Sequence, residues 1–237
     1  MLADLQYVYQ ASSDVNGGTV TVGYPYSLLE WCAEPHSSWS LPLDVRRISS
    51  RKTAQAVGAE QIRALARLRV DCPATLDIVV ADGKYGNADF LQQVQGLRVG
   101  IVSRLRRDRV LYRTAPAVSI LRRRRPRRHG DRFEFKDPAT WGQPDELVEC
   151  EDGRYGQVRL ERWNGLHERK APQLIYDVVC ASIHRERRKP PVPVWFAWLP
   201  PVNIPAPLTV TAHTIWSAYV HRWPIEPGVR FRKEHLG

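Results

Sequence analysis

The chain has only four cysteines, Cys32, Cys72, Cys150 and Cys180, and no two are close enough to form a CxxC pair. A zinc ribbon is therefore not indicated, and a disulfide framework would be unusual at 237 residues. Reduced thiols and a cytoplasmic location are the expectation. The seven histidines lack HxH or HxxxH spacing, and no Gly-x-Ser-x-Gly elbow occurs. Those absences exclude the common zinc-protease and serine-hydrolase motifs. No apolar run reaches the roughly 18 residues of a membrane span. The start, Met1-Leu2-Ala3-Asp4-Leu5-Gln6, has neither the basic region nor the apolar stretch of a signal peptide.

Basic charge is in excess. The formal net charge is +10, and between Arg98 and Arg132 thirteen Arg stand against Asp108 and Asp131 alone. Cations that neutralise phosphates release condensed counterions, so such a balance points to a polyanionic partner. The basic run lacks an amphipathic helical period, so nucleic acid is favoured over an anionic membrane. Its densest part is Arg122, Arg123, Arg124, Arg125, Arg127 and Arg128, broken only by Pro126. Mutual repulsion makes that run costly to order without a phosphate partner, although a solvated loop would show the same composition.

Patterning indicates an α/β protein. Residues 5–9 and 19–29 are β-branched and aromatic, with Asn16-Gly17-Gly18 as a turn between them. Trp39 to Arg46 alternates as a third strand, in which Pro42 marks an edge or bulge. Apolar positions recur at helical spacing over 53–68. The short apolar run Leu76 to Ala81 predicts a buried central strand, followed by a helix over 88–94 and a strand over 97–102. Further strands are expected at 133–135, 157–163, 174–183 and 192–198, and helix returns at about 208–221 and 224–236.

Two acids stand out. Asp82 sits where a buried strand runs out, before Gly83, the edge at which α/β sheets commonly hold ligands. Position alone also suits an Asp that opens a turn or caps the next helix. Glu226 would share a helix face with Arg230, Lys233 and Gly237. A carboxylate with cations on its own face suits a metal ligand beside bound phosphates, although a lone helical Glu is ordinarily solvated.

Tyr219, Arg222, Glu226 and Lys233 reproduce a Tyr-x2-Arg-x3-Glu-x6-Lys spacing. With Ala81-Asp82-Gly83-Lys84-Tyr85-Gly86-Asn87, Trp39 to Arg47, Arg104 to Tyr112 and Arg125 to Gly130, the chain resembles bacterial insertion-sequence transposases of the DDE type. The resemblance implies an RNase H-like mixed sheet with flanking helices, interrupted by a β-rich insertion before the C-terminal catalytic helix. It places the core at 1–112 and 206–237 and the basic insertion at 113–205. It implies Asp82 and Glu226 as catalytic, metal-binding carboxylates for two Mg2+ or Mn2+ ions. Tyr219, Arg222 and Lys233 would handle the DNA backbone. The partner would be double-stranded DNA at transposon ends, and a homodimer is possible. Two metals roughly 4 Å apart would activate a nucleophile and relieve charge on the leaving oxygen.

Two features depart from that pattern. The first Asp of such a site has no clear counterpart, since Asp4 and Asp14 lie in unsuitable contexts. The chain is therefore expected to be incomplete at both ends and not to transpose DNA by itself. Pro224 and Pro227 fit only a first helical turn, so a break is expected after Arg222, with Tyr219 and Arg222 on the preceding helix. Two rival readings are a non-catalytic DNA-binding remnant and an unrelated basic nucleic-acid-associated protein.

Overall fold

The computed structural model describes residues 5–9, 20–33, 39–69, 75–116, 127–184, 193–204 and 208–229. The chain divides into two compact units, Met1–Leu68 with His221–Gly237, and Arg69–Val220.

The first unit opens with β1 (Gln6–Tyr9) antiparallel to β2 (Val20–Gly23). The aromatic run read as one strand over 19–29 is broken at Tyr24-Pro25, and β3 (Tyr26–Trp31) begins after the break. Proline has no N–H to give a ladder, which accounts for the interruption. β3 pairs antiparallel with β4 (Leu41–Arg47), and the register shifts where Leu29 and Glu30 face Asp44 and Pro42. Pro42 thus lies at a bulge, the tolerated place for it in a sheet.

Helix α1 (Ala54–Leu68) follows, with the Thr53 hydroxyl accepting from the Ala56 amide at its start. Ala54 and Val57 close a small core with Ile48. Gln61 is the buried polar link in this unit. Its Oε1 accepts from the Ser27 hydroxyl at 2.6 Å, and its amide donates to the carbonyls of Ser27 and Asp44. A buried amide satisfied on both sides fixes α1 on the hairpin in one register.

The second unit is built on an eight-stranded mixed sheet. Its strands are β5 (Ile78–Ala81), β6 (Gly100–Leu105), β7 (Val110–Arg113), β8 (Arg132–Glu134), β9 (Glu146–Asp152), β10 (Gly156–Glu168), β11 (Ala171–His184) and β12 (Val194–Leu199). The order is β5-β6-β12-β11-β10-β7-β8, with β9 also on β10. Among the described residues, only β5 and β6 of this sheet pair in parallel; its remaining pairs are antiparallel. Helix α2 (Ala88–Val94) connects β5 to β6, and α3 (Ala212–His221) follows β12. This mixed α/β architecture is consistent with the RNase H-like fold of DDE enzymes.

Alternation along β12 divides its side chains between the two faces. Phe196 and Trp198 join Val158, Leu160, Val179 and Ala181 under Ile215 and Trp216 of α3. Trp195 points the other way and stacks on Phe135 with ring centroids 4.1 Å apart, beside Phe133, Trp141 and Trp163. Gly100 is required at the start of β6, because a Cβ there would collide with the Trp198 ring.

The N-terminus of α3 is fixed by side chains from the sheet. Both carboxylate oxygens of Glu146 accept from the Ala212 amide, at 2.9 and 3.1 Å. Arg162 donates to Glu146, to Asp177 at 2.6 Å and to the Val210 carbonyl at 2.6 Å. This guanidinium holds two carboxylates and a main-chain oxygen in a largely buried network, where removal of one partner strands the others.

Candidate active site

Asp82 follows β5 directly. Ala81 lies opposite Ser103 in the parallel pair, so Asp82 and Arg104 emerge at the same end of neighbouring strands. That end is the carboxyl edge of β5, where a polar side chain can reach solvent from an otherwise apolar strand. Asp82 is exposed.

The turn after it is closely specified. Asp82 Oδ1 accepts from the Lys84 amide at 2.8 Å, and its carbonyl accepts from the Tyr85 amide. This is an Asx-type turn. Asn87 then caps α2, its Oδ1 accepting from the Phe90 amide while its Nδ2 donates to the Lys84 carbonyl. Gly86 lies against β6 so tightly that a Cβ would collide with the Arg104 carbonyl. Asp82 therefore opens the turn, while the cap of α2 falls to Asn87. One carboxylate oxygen organises the turn, and the exposed carboxyl group still stands at the sheet edge.

Arg109 secures the turn from behind. Its Nη2 donates to the Gly86 carbonyl at 2.7 Å, and its Nη1 lies 3.5 Å from Glu168 Oε1. Burial pushes the Glu168 carboxyl above its ordinary range; Arg109 opposes that shift and Asp89 adds to it. Nearby, His129 Nδ1 and His167 Nε2 are 2.9 Å apart and share a hydrogen bond. Burial lowers the His167 pKa, and the neighbouring His129 lowers it further.

Glu226 belongs to the first unit. It is exposed, and its Oε1 accepts from Arg222 at 2.9 Å, an i,i+4 ion pair. Arg222 lies one residue beyond α3, in a turn spanning 222–224, and residues 225–229 are helical. The interruption falls at Arg222 itself, slightly earlier than the prolines suggested. Tyr219 is in the second unit, on α3, where its ring packs against Phe196 with centroids 4.5 Å apart. It serves the core as well as any surface role. Asp82 and Glu226 thus lie in different units, and each is placed here within its own.

The Arg-rich run is only partly described. Arg127 and Arg128 are exposed, while Arg122, Arg123, Arg124 and Arg125 lie outside the described residues, as do Arg230 and Lys233.

DDE endonucleases generally use divalent metal ions. Asp82, an exposed carboxylate at a sheet edge, offers the hard oxygen donors that such ions prefer. Among the described residues, no group of three or more His, Cys, Asp or Glu is arranged to hold a metal ion. No described helix is long and apolar enough to cross a membrane.

The family model of the DDE superfamily endonucleases matches residues 3–169, well over half of the chain. That segment includes Asp82, its turn, Arg109 and Glu168, and ends before Tyr219, Arg222, Glu226 and Lys233. No curated protein matches the sequence. On the family match, the chain belongs to the DDE superfamily endonucleases.

Proposed function

We propose that the protein is a DDE-type DNA transposase of the insertion-sequence kind, acting on double-stranded DNA at element ends. The observation that carries this reading is Asp82, exposed at the carboxyl end of β5 within the family-matched segment. In this reading Asp82 and Glu226 are the carboxylates that hold divalent metal, Mg2+ or Mn2+. The metal supplies an activated nucleophile near neutral pH and charge relief on the leaving oxygen. Asp82 is held in position by its own turn and by Arg109 behind Gly86. Arg222, paired with Glu226, and Tyr219 and Lys233 are assigned to the DNA backbone, as are Arg122 to Arg125, Arg127 and Arg128. Residues 1–112 and 206–237 form the catalytic core and 113–205 its insertion. The third carboxylate is not assigned to a described residue; Asp4 and Asp14 lie outside them.

Nicking of supercoiled plasmid by the purified chain tests the proposal. Relaxation that needs Mg2+ or Mn2+ and disappears in Asp82→Ala supports a catalytic transposase core. A second reading, a DNA-binding remnant without cleavage, is favoured by the Glu226 oxygen engaged by Arg222. It predicts no nicking with either metal, while salt-sensitive duplex binding persists.

A further inference from the structure

Beside the Asp82 turn, the second unit carries an open cleft of about 880 Å³. Gly83 is part of its lining, and Arg104, Arg106, Arg107 and Lys136 line it against one acid, Asp108. Asp108 is already paired with Arg106 at 3.1 Å. Among the described residues, Arg104, Arg107 and Lys136 have no carboxylate within ion-pair distance, and all three are exposed.

The cations are carried on fixed backbone. Arg104 is the one exposed residue in β6, whose other side chains are buried. Arg106 and Arg107 sit in the turn closed by the Arg109 amide donating to the Arg106 carbonyl. Lys136 follows buried Phe135, which stacks on Trp195 beneath the cleft and donates its amide to the Arg109 carbonyl. The two cationic sides are therefore joined through Arg109.

We infer that this cleft is a phosphate track that grips the backbone of duplex DNA next to Asp82. The inference rests on the reading above for its substrate, and it assigns a surface that the spacing of the sequence motif does not include. Charge complementarity selects a polyanion. The lining selects its backbone over its bases. Trp195, the aromatic residue in the cleft, is 1% exposed and offers no stacking platform. Single-strand binders depend on such platforms, whereas guanidinium and ammonium groups on a rigid edge suit the phosphates of a duplex. Binding here is independent of base sequence.

The test uses the full chain in EDTA, so that cleavage plays no part, with a fluorescent 25-base-pair duplex of arbitrary sequence. Arg107→Gln combined with Lys136→Gln is expected to weaken binding about tenfold at low salt. It should also make the slope of log affinity against log salt shallower by about 2, near 0.9 for each lost phosphate contact. Lys136→Gln alone should give about half that change in slope. An unaltered affinity and slope in the double variant overturns the proposal. So does tighter binding of a single strand or an RNA duplex of equal length. If the variants weaken duplex binding but Asp82-dependent nicking is absent, the cleft stands and the catalytic reading falls. If nicking persists while the variants bind normally, the cleft assignment alone falls.

Discussion

The Arg109 guanidinium donates to the Gly86 carbonyl at 2.7 Å, linking the turn after Asp82 to the chain that leaves β6. The same side chain faces the largely buried Glu168 carboxylate. One residue thus supports the candidate acid and offsets a buried charge.

Arg109→Ala removes both partners together. A hydrogen bond to a charged group, with its buried partner left unmatched, costs about 1.5–3 kcal/mol. Urea unfolding should show a loss in that range, with an unchanged m-value. Arg109→Lys is expected to recover only part of it, because an ammonium cannot span Gly86 and Glu168 as a planar fork does.

Gly86→Ala should destabilise the fold by about 1–3 kcal/mol, because the new methyl group meets backbone that cannot step aside. Gly153 provides the control: a Cβ there meets nothing within 4 Å. Gly153→Ala should stay within about 0.5 kcal/mol of the parent. Thermal melts of the pair would show whether packing against Arg104, or loss of chain freedom in general, sets the effect. Equal shifts would refute the packing account.

Arg162→Ala leaves Glu146 and Asp177 without their shared cation and removes a donor from the Val210 carbonyl. Breaking a buried pair by deleting one member costs about 3–5 kcal/mol. Arg162 is 16% exposed and Asp177 17%, so screening reduces this only in part. A loss near 3 kcal/mol by chemical denaturation is expected. A change below about 1 kcal/mol would show the network to be solvated.

His167 gives the stability a defined dependence on acidity. Its ordinary pKa is 6.5, and in the folded chain burial and then His129 depress it. As pH falls below 6.5, the unfolded chain takes up a proton that the folded chain resists. Stability is therefore fully present above that value and is lost as pH falls towards the folded pKa. His167→Phe should flatten the slope over that interval, measured as urea midpoints at a series of pH values.

Periodicity made α1, α2 and β5 legible as elements, through a helical stripe, a capped short helix and an apolar run. But β5 was expected to be buried and central, whereas it ends the strand order of its sheet and its residues are only half-buried. Asp82 at the end of β5 was equally legible. β6 was expected at 97–102 but runs Gly100–Leu105. Pairing with β5 sets its start, and exposed Arg104 lies within the strand. β9 gave no sequence signal, since Glu149 and Glu151 fill its outward positions and a sheet edge accepts them. The basic cleft was hidden for another reason. Arg104, Lys136 and Trp195 come together only when strands distant in sequence pair.

The Glu146 cap makes α3 mechanically unequal along its length. Its first amide is held by a carboxylate from β9, while the chain passes from one compact unit to the other after Val220. Local opening should therefore start at the His221 end and travel backwards, so that amide-exchange protection falls from Ile215 towards Val220. The order in which these ten residues open would then be set by one glutamate far upstream in the sequence.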